Sequence, residues 1–333
     1  MDTFKKENIS KIDVHAHYLP KAYKEALLRY CGKYPDDFPT PDWNPEKHLE
    51  AMNRLGIAAS ILSLSSPHIN FGDREITKAL ARESNEEGAA LVREYPGRFG
   101  LFASLPLPDV EDSIAEIQYG MDILHADGFT LPTNTQGVYL GNGCLDPVME
   151  ELNKYKSVVA IHPNRPSSVP AKVVEGLPIP AMEFFFDTTR TVVNMILKGT
   201  MKRFPDIKFI IPHAGAFLPI LSDRLALSLQ ALPGTFGKQV NPKEIDVYSS
   251  LKGLYYDLAG VCLPRQLPCL MQLVDTDHFL YGSDYPYTPV SGCMTLADML
   301  DKTGILMEEQ RHSIYSENAL GLFQRYDNNI PRA

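Results

Sequence analysis

Ile12-Asp13-Val14-His15-Ala16-His17, near the N-terminus, decides the fold. In an extended strand alternate side chains share a face, so His15 and His17 aim two imidazoles in one direction, within reach of a single cation. Three later runs have the same form, an apolar stretch ending in a side chain that a metal or its bound water needs. They are Val158-Val159-Ala160-Ile161-His162, Phe209-Ile210-Ile211-Pro212-His213 and Phe279-Leu280-Tyr281-Gly282-Ser283-Asp284. Four strands each delivering such a residue is how a parallel barrel gathers a mononuclear site at its C-terminal rim.

Outward from these runs the chain keeps a strand-then-helix rhythm. A proline-rich excursion, Tyr34 to Trp43, is long enough to lie over a barrel mouth. The spacing then predicts a helix over Pro45 to Gly56, with Asn44 as N-cap and Gly56 as stop. Strands follow at Ala59 to Ser66, Phe99 to Leu107, Gly128 to Thr133, Ser157 to His162, up to His213, Leu254 to Leu258 and Phe279 to Ser283. Helices are predicted at Arg74 to Tyr95, Ser113 to Leu124, Leu145 to Lys156, Thr188 to Phe204, Leu218 to Leu232, Leu267 to Leu273 and Leu296 to Leu300. Met307 to Tyr326 reads as a closing helix. Eight strands with helices between them, and no central linker, imply one α/β domain over residues 1–333, a single (β/α)8 TIM-like barrel with its active site at the C-terminal face.

Composition narrows the partners. Lysine and arginine total 32 against 41 aspartates and glutamates, a net charge of −9 with no basic run, which argues against nucleic acid and anionic membranes. Met1 to Ser10 is polar, and no apolar run reaches the ~18 residues of a membrane span, so a soluble, cytoplasmic protein is expected. Cys31, Cys144, Cys262, Cys269 and Cys293 form no Cys-x-x-Cys pair and read as reduced, buried thiols.

Two histidines on the inner face of a barrel are costly to bury without a partner, so His15 and His17 read as metal ligands, with His162 as a third imidazole. Asp284, after Gly282 and Ser283, can both ligate a metal and exchange a proton with its water. His213 opens the small-residue stretch His213-Ala214-Gly215-Ala216 and reads as an acid or base beside the metal water. His68, after the second strand, is a substrate-contact candidate. Trp43, the run Phe184-Phe185-Phe186 and Tyr287 lie near the predicted rim and could wall a ring-binding pocket. His48, His278 and His312 lie away from the rim and read as surface or structural, and His125 as a helix C-terminal residue. Three imidazoles and a carboxylate suit zinc best, with manganese as the alternative. The same donors could equally serve a hydrolase attacking a lactone or amide with metal-bound water.

Taken together, Asp13-Val14-His15-Ala16-His17, the helix start Asp187-Thr188-Thr189, Arg203-Phe204-Pro205-Asp206-Ile207-Lys208, His213-Ala214-Gly215 and Gly282-Ser283-Asp284-Tyr285-Pro286 resemble the amidohydrolase-related group of the amidohydrolase superfamily. The likeness is closer to its 2-amino-3-carboxymuconate-6-semialdehyde decarboxylase-like branch and runs nearly end to end. It implies a metal-dependent-hydrolase type of barrel, one divalent metal on the residues matching His15, His17, His162 and Asp284, and non-oxidative decarboxylation of an aromatic or unsaturated carboxylic acid. It also implies a homodimer, in which Arg224 falls where members place an arginine that reaches the neighbouring subunit's site. Several phenolic acid decarboxylases carry Glu-x-His in the first strand and a glutamate three residues after the histidine of strand six. Here those positions hold His15 and Ala216, which favours the His-x-His subgroup containing 6-methylsalicylate decarboxylases.

Overall fold

A computed structural model of the chain describes residues 10–170, 172–232, 237 and 240–329. The polar N-terminal stretch therefore lies outside the described residues, apart from Ser10. Among the described residues ten strands occur in chain order: β1 Lys11–His17, β2 Ile57–Ser63, β3 Phe99–Ser104, β4 Gly128–Pro132, β5 Asn134–Thr135, β6 Val138–Tyr139, β7 Val158–His162, β8 Lys208–Ile211, β9 Tyr255–Asp257 and β10 Phe279–Leu280. Eight of them form one parallel sheet in the order β1-β2-β3-β4-β7-β8-β9-β10, while β5 and β6 pair as a small antiparallel hairpin. The strands read as near-continuous Val, Ile, Leu and Phe because helices cover the sheet from outside, leaving β1, β3 and β4 buried over their whole length.

The sheet closes on itself. Val14 N donates to Tyr281 O at 3.0 Å, Asp284 N to His15 O at 2.8 Å and His17 N to Tyr285 O at 2.8 Å. This seam leaves no room for a side chain at position 282, where a Cβ would stand 2.8 Å from the His15 Cβ and 3.0 Å from that of Ala259. The Asp13 carboxylate bolts the same seam. It accepts Ser283 N at 3.0 Å and Ser283 Oγ at 2.5 Å, and also His15 N at 3.1 Å. At the other end of the strands, Ile12, Val14, Ile61, Phe102, Val158 and Leu280 cluster with Phe323 and Tyr326 from the end of the chain.

Several predicted elements differ in extent. Helix Pro45–Leu55 forms as expected, with Asn44 Oδ1 accepting Lys47 N at 2.8 Å and Gly56 left-handed at φ 69°. The helix read from Thr188 begins at Glu183 and breaks at Gly199, whose φ of 64° ends it before a short turn Thr200–Arg203. Helix Lys21–Tyr30, which the sequence reading lacks, buries Tyr23, Ala26 and Leu27 on one face. The closing segment is not one helix. A π-helical turn at Ser313–Glu317 separates Glu308–His312 from Asn318–Leu322. There Asn318 Nδ2 turns aside to satisfy Thr276 O and Phe279 O beneath β10, at 2.9 and 2.8 Å.

Candidate metal centre and active site

Strand ends bring three imidazoles together. His15 and His17 close β1 and His162 closes β7; their ring centroids lie 5.0, 5.4 and 4.8 Å apart, and their nitrogens fall within 4.8 Å of one another. Each Nδ1 has a partner. Asp257 Oδ2 lies 2.8 Å from His15 Nδ1, Ser63 Oγ lies 3.1 Å from His17 Nδ1, and Pro163 O lies 2.8 Å from His162 Nδ1. With Nδ1 engaged, Nε2 is the free donor atom, and on His15 and His17 it is buried with no hydrogen-bond partner. Asp284 Oδ1 faces those two atoms at 3.6 and 3.3 Å. Buried nitrogens without partners, converging on a carboxylate, are what a divalent ion would satisfy, so the residues fit a metal.

Charge agrees with that placement. Burial lowers the basicity of His15, but the Asp257 carboxylate, helped by Asp284, more than offsets it and pushes the pKa up to about 9. The pocket therefore favours positive charge at His15, and a cation would take over that role. Burial works against ionisation of Asp284, yet His17 and His15 beside it hold its pKa down to about 2.

Asp257 escaped the sequence reading. It ends β9, is 3% exposed, and ties the centre together: besides His15 it accepts His213 N at 3.0 Å and Ala259 N at 3.1 Å. The sequence predicts this strand over Leu254 to Leu258, which hides Asp257 inside it, whereas the structure ends it at Asp257 and so delivers the carboxylate at the rim. Because Asp257 orients His15, Asp257→Asn is expected to weaken metal affinity by about 10–100-fold, measured by competition with a chromogenic chelator.

His213 follows β8 in a turn held by Gln266, whose Nε2 donates to His213 O at 2.5 Å. Its ring stacks on Phe185 at 5.7 Å, lies 5.1 Å from that of His15, and has a buried Nδ1 with no partner. Burial, reinforced by His15, lowers its pKa to about 4, so the imidazole is neutral. His213, Ala214, Ala216 and Asp284 all have left-handed backbone, with φ of 56, 50, 52 and 59°. Each such residue costs of order 1 kcal/mol, and strain of this kind persists where the surrounding structure enforces it.

A cavity of about 330 Å³ opens above the centre, bordered by His162, His213 and Asp284 and walled by Phe38, Phe184, Phe185 and Tyr287. The other substrate-contact candidates lie elsewhere. Trp43 is buried beneath the rim, where its indole donates to His48 Nδ1 at 2.9 Å, so it stiffens the fold and does not line the cavity. Phe186 points outward, 43% exposed and packed on Phe217, whereas its neighbours Phe184 and Phe185 turn in. His68 is buried with its ring 5.6 Å from that of His162, and lines a separate cavity of about 380 Å³. Arg224 is exposed on the outer face of helix Leu218–Ala231, because that helix turns Leu218, Ser222, Ala226 and Leu229 inward. No helix among the described residues is long and apolar enough to cross a membrane.

Known proteins share this architecture over nearly the whole chain. A 6-methylsalicylic acid decarboxylase of Penicillium expansum is 32% identical over 331 residues, covering 98% of this chain and 99% of the relative. A solved structure named amidohydrolase II superposes with a TM-score of 0.89 at 44% identity, covering 94% and 99% of the two chains. A dihydroxybenzoic acid decarboxylase of Polaromonas, solved with manganese and 2-nitroresorcinol, gives a TM-score of 0.81 at 22% identity, over 95% and 97%. The relatives decide for decarboxylation over lactone or amide hydrolysis. With the amidohydrolase family profile matching residues 12–325, this chain belongs to the amidohydrolase family, in its decarboxylase branch.

Proposed function

We propose that the chain releases carbon dioxide, without an oxidant, from a hydroxybenzoate of the 6-methylsalicylate type. One observation carries the reading: unpartnered imidazole nitrogens and a carboxylate sit at the base of an aromatic-walled cavity large enough for a single ring. His15, His17, His162 and Asp284 would hold one divalent ion, zinc by donor chemistry and manganese as the alternative. When bound, that ion supplies positive charge against the substrate carboxylate and any adjacent hydroxyl. The protein's own groups do the rest. Phe184, Phe185 and Tyr287 fix the ring and exclude water. Breaking the bond between ring and carboxyl carbon leaves the electron pair on the ring carbon, and a proton taken up from water is passed on by Asp284 or His213 to form the new C–H bond.

The expected result is stoichiometric carbon dioxide and cresol from 6-methylsalicylate, lost after chelation and restored by zinc or manganese. Gas release that survives exhaustive chelation would end the reading. Residues 1–333 act as one catalytic unit, working in the cytoplasm as a homodimer in which Arg224 reaches the partner's site and contacts the substrate acid. Sedimentation should then show a dimer, and Arg224→Ala should raise KM by about tenfold, the worth of one charged hydrogen bond, with a smaller change in kcat. A monomeric, fully active enzyme would remove this part.

A further inference from the structure

Beyond His162, His213 and Asp284, the polar residues of the metal-side cavity are Asp36, Ser65, Ser66, Tyr287 and Thr288, and among the described residues no lysine or arginine lines it. The one charged side chain set away from the metal centre is an acid. Asp36 is 8% exposed, in a turn at Pro35–Asp37 with a left-handed φ of 55°. Its Oδ2 accepts Ser66 Oγ at 2.6 Å and its Oδ1 accepts Arg165 Nε at 3.2 Å. Arg165 lies outside the cavity lining and is shared with Asp37 Oδ2 at 2.7 Å, so its charge is spent on two carboxylates. Tyr287 in the same lining has a hydroxyl that is buried with no hydrogen-bond partner.

A carboxylate that only accepts and a phenol free to donate complement a group that does both, a hydroxyl. They oppose a second carboxylate, which would bring like charge into an apolar enclosure. Resting on the decarboxylase reading, we propose that Asp36 sets substrate choice. With Tyr287 it recognises a ring hydroxyl remote from the carboxyl group being lost, one that 6-methylsalicylate lacks and its dihydroxylated analogues carry, and it rejects ring acids carrying a second carboxylate. Asp36 accepts that hydroxyl's proton in a hydrogen bond, Tyr287 donates to its oxygen, and Arg165 with Ser66 holds the carboxylate in place.

The test reads binding, not turnover. Metal-loaded wild type, Asp36→Asn and Tyr287→Phe are titrated calorimetrically with dihydroxybenzoate isomers and with hydroxyisophthalate. Wild type should bind its best dihydroxybenzoate at least about tenfold more tightly than the dicarboxylate, the discrimination expected of one charged contact. Asp36→Asn should erase that preference. Tyr287→Phe should weaken the dihydroxybenzoate by about tenfold and leave the dicarboxylate unchanged, which a general loss of structure would not do. A wild-type enzyme that binds the dicarboxylate as tightly, or a preference that survives Asp36→Asn, overturns the proposal. Because no gas is measured, the outcome stands apart from the decarboxylase reading, which falls only if correctly bound acids release no carbon dioxide.

Discussion

Asp284→Asn is expected to lower carbon dioxide release by at least about 10³-fold, while the fold survives. The amide matches the carboxylate in shape, and the backbone that fixes position 284, through Asp284 N to His15 O and Thr288 N to Asp284 O, is untouched. Charge and proton capacity are lost together. The carboxylate facing His15 and His17 becomes neutral, which weakens the proposed metal site, and the group set to exchange a proton disappears. Thermal unfolding of the metal-free variant close to wild type, beside collapsed turnover, is the combination to look for. Retained turnover would remove Asp284 from the chemistry.

Asp13→Ala should produce the largest loss of stability. Burial pushes the Asp13 pKa up to about 7, against the opposing pull of Ser283 and His15, so the carboxylate is not kept for its solvation. Its value lies in the donors it satisfies. Removing it strands Ser283 N, Ser283 Oγ and His15 N in a dry seam, at about 1–3 kcal/mol for each donor left unpaired. Denaturant unfolding of the metal-free protein should show a loss of at least about 2 kcal/mol, with Asp13→Asn intermediate because it keeps one acceptor oxygen. A midpoint within error of wild type would show that water replaces the carboxylate.

The barrel and its metal-facing residues were legible because parallel strands, buried on both faces, spell apolar runs, and the chemistry sits where each run stops. His15, His17, His162 and Asp284 announced themselves in this way, and the structure brings them together. Asp257 did not, since the predicted strand runs on to Leu258, whereas β9 stops at Asp257. Loop aromatics were read least well. Whether Phe185 or Phe186 turns inward depends on one step of helical phase in Glu183–Leu197, and that helix starts five residues before its predicted beginning. Trp43 was drawn under the rim by the His48 ring nitrogen, a partner that composition near the mouth does not reveal. Helix Lys21–Tyr30 carried its signal in Tyr23, Ala26 and Leu27, but Pro20 at its cap and the prolines that follow masked so short a period.

The seam between β1 and the segment after β10 joins residues 270 positions apart through Asp13 and Ser283. On the ribosome, therefore, His15 and His17 leave the exit tunnel long before Asp284 appears. Until the segment after β10 is made, β1 keeps an open sheet edge, so the proposed metal site can be completed only once Asp284 has been synthesised.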